Sequence, residues 1–180
     1  MHRERGFTLV ELMTILAVAA VLFTVATPAL QQFVNNSRQT GAINDFISSL
    51  HIARNTAITT NARVTICASD GGLDCEVVGW NDGWIVFTDR NSNRQVDAGE
   101  TIVGTSSGND DLAILSGQFP SFLMYRPTGR AMTVSITGNV GEFTICDYRG
   151  ADHAKAVILD LSGRPRISEI SMTGTPLSCL

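Results

Sequence analysis

The sequence predicts an α+β protein in which one long N-terminal helix packs on an antiparallel β-sheet or β-sandwich. Three observations carry that expectation. An apolar run occupies residues 6–28, a helical apolar spacing continues from it as far as Asn61, and beyond Arg63 short apolar strands alternate with Gly, Asn, Asp and Ser separators. A helix followed by many short strands sorts into helix-on-sheet layers. The 180 residues leave room for one globular domain beside the apolar run, and nothing repeats.

The apolar run is broken near its start by one carboxylate, Glu11, and carries no charge from Leu12 to Ala26. As a helix, residues 7–30 have about the length needed to cross a bilayer at ~1.5 Å per residue. Arg3 and Arg5 precede it, so the positive-inside bias places the N-terminus in the cytoplasm and the rest of the chain across the membrane. A discarded secretory signal, cut near Val25-Ala26-Thr27, is the competing reading. Glu11 speaks against it, because a carboxylate among membrane-facing residues costs a few kcal/mol and is kept for a partner. Pro28 removes one backbone donor, which membrane helices tolerate when neighbours satisfy the freed carbonyl.

The helix continues through residues 31–61 as an amphipathic segment. Phe33, Ile43, Phe46, Ile47, Leu50, Ala53, Ala57 and Ile58 recur mostly at steps of three and four, while Asn36, Arg38, Gln39, Asn44, Asp45 and Arg54 take the other faces. Gly41 is a weak point costing ~1 kcal/mol relative to alanine. Asn61 is the expected stop, and His51 a helix-surface residue. Strands are expected near 63–67, 84–88, 101–105, 112–115, 122–125, 132–136, 142–146 and 156–161. The resulting organisation is a leader at 1–6, an apolar helix at 7–30, its amphipathic continuation at 31–61 and a β-rich domain at 62–180.

The net charge of −4 gives no global electrostatic case for a nucleic-acid partner, so any such case must be local. No Ser-His-Asp set, paired carboxylates or metal constellation stands out, and the chain reads as a non-enzyme without a cofactor. The four cysteines lie in the segment expected to face an oxidising compartment, which makes disulfides the default and allows three pairings. Cys67 with Cys75, flanking a Gly-Gly turn, and Cys146 with Cys179, stapling the C-terminal tail to a strand, are favoured. A zinc site is the rival, but paired C-x-x-C units are missing.

Three constellations carry possible chemistry. Trp80-Asn81-Asp82-Gly83-Trp84 reads as a hairpin turn whose tryptophans enter the core, in preference to a sugar or base platform. Residues 89–100 place Asp89, Asn91, Asn93, Asp97 and Glu100 at positions 1, 3, 5, 9 and 12 of a calcium-like loop. Arg94 occupies the position where such loops take glycine, and the flanks read as strands, so a plain polar hairpin connection is preferred. Ser162-Gly163-Arg164-Pro165-Arg166 follows an apolar strand; Ser-Gly turns the chain and Pro165 stiffens it, so two guanidinium groups project from one stiff loop. The bland alternative is a pair of solvated turn charges.

Gly6-Phe7 followed by Thr8-Leu9-Val10-Glu11-Leu12 resembles the processing and assembly signature of type IV pilins and type II secretion pseudopilins. The later segments, with Trp84-Ile85-Val86-Phe87 and Gly163-Arg164-Pro165-Arg166, resemble the GspH/FimT-type minor pilins. The resemblance implies a pilin fold. It implies that a prepilin peptidase cuts after Gly6 and methylates the amine of Phe7, and that Glu11 meets the positive N-terminus of a neighbouring subunit. A charge pair in a low-dielectric bundle sets axial register. It further implies a single-pass inner-membrane protein with its globular domain in the periplasm, later part of a pilus or pseudopilus among other pilins. In FimT-type members linked to natural transformation, the Gly-Arg-x-Arg motif is the contact to double-stranded DNA. That carries over to Gly163, Arg164 and Arg166; by charge alone Lys155 is a candidate neighbouring contact, and the alternative to DNA binding is a purely structural pseudopilin of type II secretion.

Overall fold

The computed structural model describes residues 8–133 and 139–179, and it divides into two compact units, Met1–Arg38 and Gln39–Leu180. One helix, α1 (Leu9–Thr60), contributes to both.

In the first unit the helix starts with a reciprocal cap. The Thr8 backbone N–H donates to Glu11 Oε2 (3.0 Å) and the Glu11 N–H donates to Thr8 Oγ1 (3.2 Å), which satisfies two amides that have no partner inside the helix. Thr14, Thr24 and Thr27 donate their hydroxyls to carbonyls three or four residues earlier, so these polar side chains make no demand on apolar surroundings. Pro28 lies inside the helix. Leu16, Leu22 and Phe23 are all more than half exposed. An apolar surface this continuous requires a lipid or protein cover, and the segment is long and apolar enough to span a bilayer.

In the second unit α1 buries one stripe. Ile43, Phe46, Leu50, Ala53 and Ala57, at alternating steps of three and four, face the core, and Asn61 ends the helix with a left-handed φ of 50°. The strands follow in order: β1 (Val64–Ala68), β2 (Trp84–Thr88), β3 (Ile102–Ser106), β4 (Leu112–Leu115), β5 (Phe122–Tyr125), β6 (Ala131–Met132), β7 (Gly141–Asp147), β8 (Lys155–Leu159) and β9 (Pro165–Ser168). They form two antiparallel sheets, ordered β3-β2-β1-β5-β6 and β4-β7-β8-β9.

Side-chain alternation explains why both sheets pack on the helix. Val64, Ile66, Val86, Leu123 and Tyr125 from the first sheet and Leu112, Ile114, Phe143, Ile145, Val157 and Leu159 from the second join the helix stripe in one apolar cluster. Phe46 is its centre, with edge-to-face contacts to Trp80, Trp84 and Phe143 at 5.7, 5.1 and 4.7 Å. The Trp80 indole N–H donates to the Phe119 carbonyl (2.8 Å), so this large side chain is buried without an orphaned donor. Gln39, also buried, donates to the carbonyl of His153 (2.9 Å).

The outer faces carry smaller apolar clusters, each containing a disulfide. Cys67–Cys75 lies with Ile85, Phe87, Val96 and Phe122, while Cys146–Cys179 joins β7 to the C-terminal tail beside Ala156, Ile158 and Leu177. A cross-link closing the longer loop, with a sequence separation of 33, restricts the unfolded chain most.

Three sequence expectations change. Trp80 and Trp84 are core residues, but their Asp-Gly turn leads from a loop into β2 and does not join two strands of a hairpin. Pro165 and Arg166, expected as part of a stiff loop, begin strand β9 at a sheet edge; proline is tolerated there because its missing N–H opens the strand. Of the strand expected over 132–136, Met132 belongs to β6, and residues 134–136 lie outside the described residues.

Candidate functional site

Gly6 and Phe7 lie outside the described residues; Glu11 stands in the helix cap with Thr8. The other motif, Gly163-Arg164-Pro165-Arg166, spans the turn between β8 and β9 and the start of β9. Asp160 builds that turn. Its Oδ1 accepts from the Ser162 hydroxyl (2.6 Å), the Ser162 N–H (2.9 Å) and the Arg164 N–H (3.4 Å). The Ser162 hydroxyl, foremost, holds the Asp160 carboxyl below the usual carboxylate range; slight burial opposes this, while the two amides and the Arg164 charge add to it. The carboxylate thus serves the turn itself.

Gly163 is buried with φ 73°, a conformation open to glycine, and there is no space for more. A Cβ at this position would lie 2.2 Å from the Gly129 carbonyl oxygen. Gly129 belongs to a second turn, 126–130, which joins β5 to β6 and closes through Arg126 N–H to Arg130 O (2.9 Å) and Gly129 N–H to Arg126 O (2.8 Å). The two sheets therefore bring one hairpin turn each into backbone contact. Tyr125 donates its hydroxyl to the Gly163 carbonyl (3.1 Å). Burial pushes the Tyr125 phenol far up, against the charge of Arg54, so it remains a neutral donor. From α1, the Arg54 Nε–H donates to Gly129 O (3.1 Å) and also approaches Ser162 O (3.4 Å).

Arg130, Arg164 and Arg166 are exposed, and among the described residues none is held in an ion pair. Arg126 is half-buried, with its Nε–H on Met132 Sδ (3.2 Å). The structure does not bring Lys155 to this group. It begins β8 at the end remote from the turn, roughly 10 Å along the strand from the level of Arg166 at ~3.3 Å per residue, and pairs with Glu169 at 2.5 Å. Arg126 and Arg130 lie outside the three constellations read from the sequence, and Arg54 reads there only as a polar-face residue of the helix. The available signal was Arg126-Pro127-Thr128-Gly129-Arg130, a second hydroxyl-Gly-Arg turn with a proline close by.

The loop 89–100 connects β2 to β3. Arg94 does adopt the left-handed turn expected of glycine, with φ 63°, because its N–H and that of Asn93 donate to the buried Asp89 carboxylate. Its guanidinium lies over the Phe122 ring at 4.8 Å, away from the carboxylates. Asp89 also accepts from Thr65, Asp97 from the Asn91 and Asn93 amides, and Glu100 from the backbone N–H groups of Arg90 and Asp97. Among the described residues no group of three or more His, Cys, Asp or Glu is placed to hold a metal ion.

Comparison with known proteins agrees with this architecture. The family model for type II transport protein GspH matches residues 42–163, well over half of the chain, and the model for the prokaryotic N-terminal methylation motif matches residues 1–27. A fimbrial protein of Moraxella nonliquefaciens is 32% identical over 71 residues, which cover 39% of this chain and 43% of that protein. The pilin-like protein PilA1 of Thermus thermophilus is 33% identical over 110 residues, covering 61% and 64% of the two chains. These alignments span less than two thirds of either relative. The crystal structure of the type IV minor pilin FimU of Pseudomonas aeruginosa superposes with a TM-score of 0.58 at 16% identity, covering 78% of this chain and 99% of that one, which is a likeness of fold. The chain belongs to the GspH family: it is a minor pilin or pseudopilin of the GspH/FimT type, carrying the N-terminal methylation motif.

Proposed function

We propose that this filament subunit also presents a weak, sequence-independent binding surface for double-stranded DNA, used in natural transformation and centred on Gly163, Arg164 and Arg166. Family membership itself implies assembly with other pilins and prepilin processing. One observation carries the DNA reading: two exposed arginines, Arg164 in the braced turn and Arg166 two residues on in β9, follow Asp160, whose carboxylate is committed to that turn. A planar guanidinium fork matches phosphate oxygens and stays charged at any working pH. Phosphate contacts carry no base information, so binding is indifferent to sequence. A few contacts give micromolar or weaker affinity that falls with salt, and repetition along a filament raises it through avidity.

Full-length protein in uncharged detergent micelles should shift duplex DNA at low salt. Arg164→Ala combined with Arg166→Ala should abolish the shift with an unchanged melting temperature. Equal binding by the double variant sinks the DNA reading and leaves the structural one, a pseudopilin of type II secretion, which the description of the matching family favours.

For assembly, we infer cleavage after Gly6, methylation of Phe7, a periplasmic β-domain and a Glu11 carboxylate that leaves the Thr8 cap for the amine of a neighbouring subunit. Gly6→Ala should therefore accumulate as an uncut precursor in the inner membrane. Normal processing of that variant, or a mature N-terminus near Ala26, would return the segment to an ordinary signal peptide.

A further inference from the structure

We propose that the anion-binding surface is a composite of two hairpin turns, one from each sheet, in which Arg126 and Arg130 on the β5–β6 turn bind phosphates together with Arg164 and Arg166. The proposal rests on the DNA reading above for the identity of the anion. Its own basis is the junction between the turns. The Gly129 carbonyl oxygen occupies the space a Gly163 side chain would need, so the two backbones meet with nothing between them. The residue after each glycine is an exposed arginine, Arg130 on one turn and Arg164 on the other. Contact between the glycines therefore fixes how far apart these two arginines start.

The junction is braced from beneath as well. Arg54 on α1 reaches carbonyls of both turns, and Tyr125, the last residue before the first turn, donates to Gly163 in the second. These bonds limit independent motion of the turns, so a ligand meets a preformed array and less ordering is lost on binding.

Charge points the same way. Five of the chain's 13 Lys and Arg residues, Arg54, Arg126, Arg130, Arg164 and Arg166, belong to this junction, on a protein whose net charge is −4. The single carboxylate within residues 126–130 and 160–166 is Asp160, already engaged by Ser162 and backbone N–H groups. A local positive surface on an acidic protein selects a polyanion at close range while the remainder repels it.

The contact number is measurable, because the salt dependence of duplex binding has a logarithmic slope of about −0.9 per neutralised phosphate. Four arginines predict a slope of about −3.6 and two predict about −1.8. The experiment is fluorescence anisotropy of a labelled duplex with the full-length protein in uncharged detergent micelles, across a salt series. Arg126→Ala with Arg130→Ala should weaken binding severalfold and bring the slope to about half of the unsubstituted value. Lys155→Ala, remote and paired with Glu169, should leave the slope unchanged. Arg130→Gln alone, at an exposed position, guards against misfolding and should reduce the slope by about one contact.

If the 126/130 and Arg130→Gln variants bind with the original affinity and slope while the 164/166 variant does not bind, the composite surface is wrong and the DNA reading stands. If the 164/166 variant binds as the unsubstituted protein does, or that protein binds no duplex, the DNA reading falls and this inference with it. An equal loss for Lys155→Ala means that diffuse charge, not the junction, attracts DNA, and that also overturns the composite surface.

Discussion

Phe46→Ala should destabilise the β-rich unit by about 3–5 kcal/mol, the range for truncating a fully buried phenylalanine. The side chain has no exposed surface and is ringed edge-to-face by Trp80, Trp84 and Phe143, so its removal forfeits transfer free energy, aromatic pairing and contact with two sheets at once. The neighbours cannot collapse into the space cheaply. Trp80 is tied through its indole N–H to Phe119, and Phe143 is stacked on Phe119 at 5.3 Å. The melting temperature of the unit should fall on the order of 10 °C. Phe33→Ala supplies the internal contrast: it sits in the same helix, but the side chain is 67% exposed in the isolated subunit, and its loss should shift the same transition by less than about 0.5 kcal/mol. Equal shifts for both variants would mean that Phe46 is not the keystone of the core.

That contrast describes how one helix serves two environments. Large apolar side chains of its first part, among them Leu9, Leu16, Leu22, Phe23 and Phe33, face outward and need lipid or neighbouring subunits, whereas from Ile43 onward a stripe is satisfied within the subunit. Both behaviours are written in the sequence. The first part is apolar on every face, and the second alternates apolar and polar residues at the helical period. The strands from β1 to β5, β7 and β8 were legible for the same reason, because burial on the inner face imposes alternation or short apolar runs.

The remainder was hidden by interactions that periodicity does not encode. Strand β9 begins with Pro165 and has exposed Arg166 and Ile167, so no inward apolar pattern announces it; pairing with β8 alone makes it a strand. Arg94 stands where a calcium-type loop takes glycine, yet it adopts the left-handed turn because the buried Asp89 carboxylate holds two successive amides there. The junction of residues 126–130 with 160–164 is a contact between hairpins that belong to different sheets. Sequence shows two Gly-Arg turns; only the folded chain makes them neighbours.

Gly163 is where motif and fold can be separated. It stands in the proposed DNA motif, yet the structure requires glycine there for packing alone. Gly163→Ala meets two costs: a left-handed conformation, about 1–2 kcal/mol for a residue with a Cβ, and overlap of that Cβ with Gly129 O at 2.2 Å and Tyr125 Cε1 at 3.0 Å. The main obstacle is backbone, which cannot swing aside as a side-chain end can. The turns must part, losing the Tyr125–Gly163 hydrogen bond, worth about 1 kcal/mol. A total of about 2–4 kcal/mol is expected. Gly129→Ala has a similar φ of 76°, but its nearest atoms are Ile58 Cδ1 and Arg54 Nη2, the ends of flexible side chains. Gly174→Ala, with φ 82° and open space around it, carries backbone strain alone. Thermal melting should therefore rank the losses Gly163 above Gly129 above Gly174. A Gly163 variant as stable as the Gly174 variant would refute the close junction and remove the structural reason for glycine in this turn. If the ranking holds, weakened DNA binding by Gly163→Ala would report parted turns, since Arg164 and Arg166 remain present, whereas loss of binding on replacing those arginines at unchanged stability reports the contacts themselves.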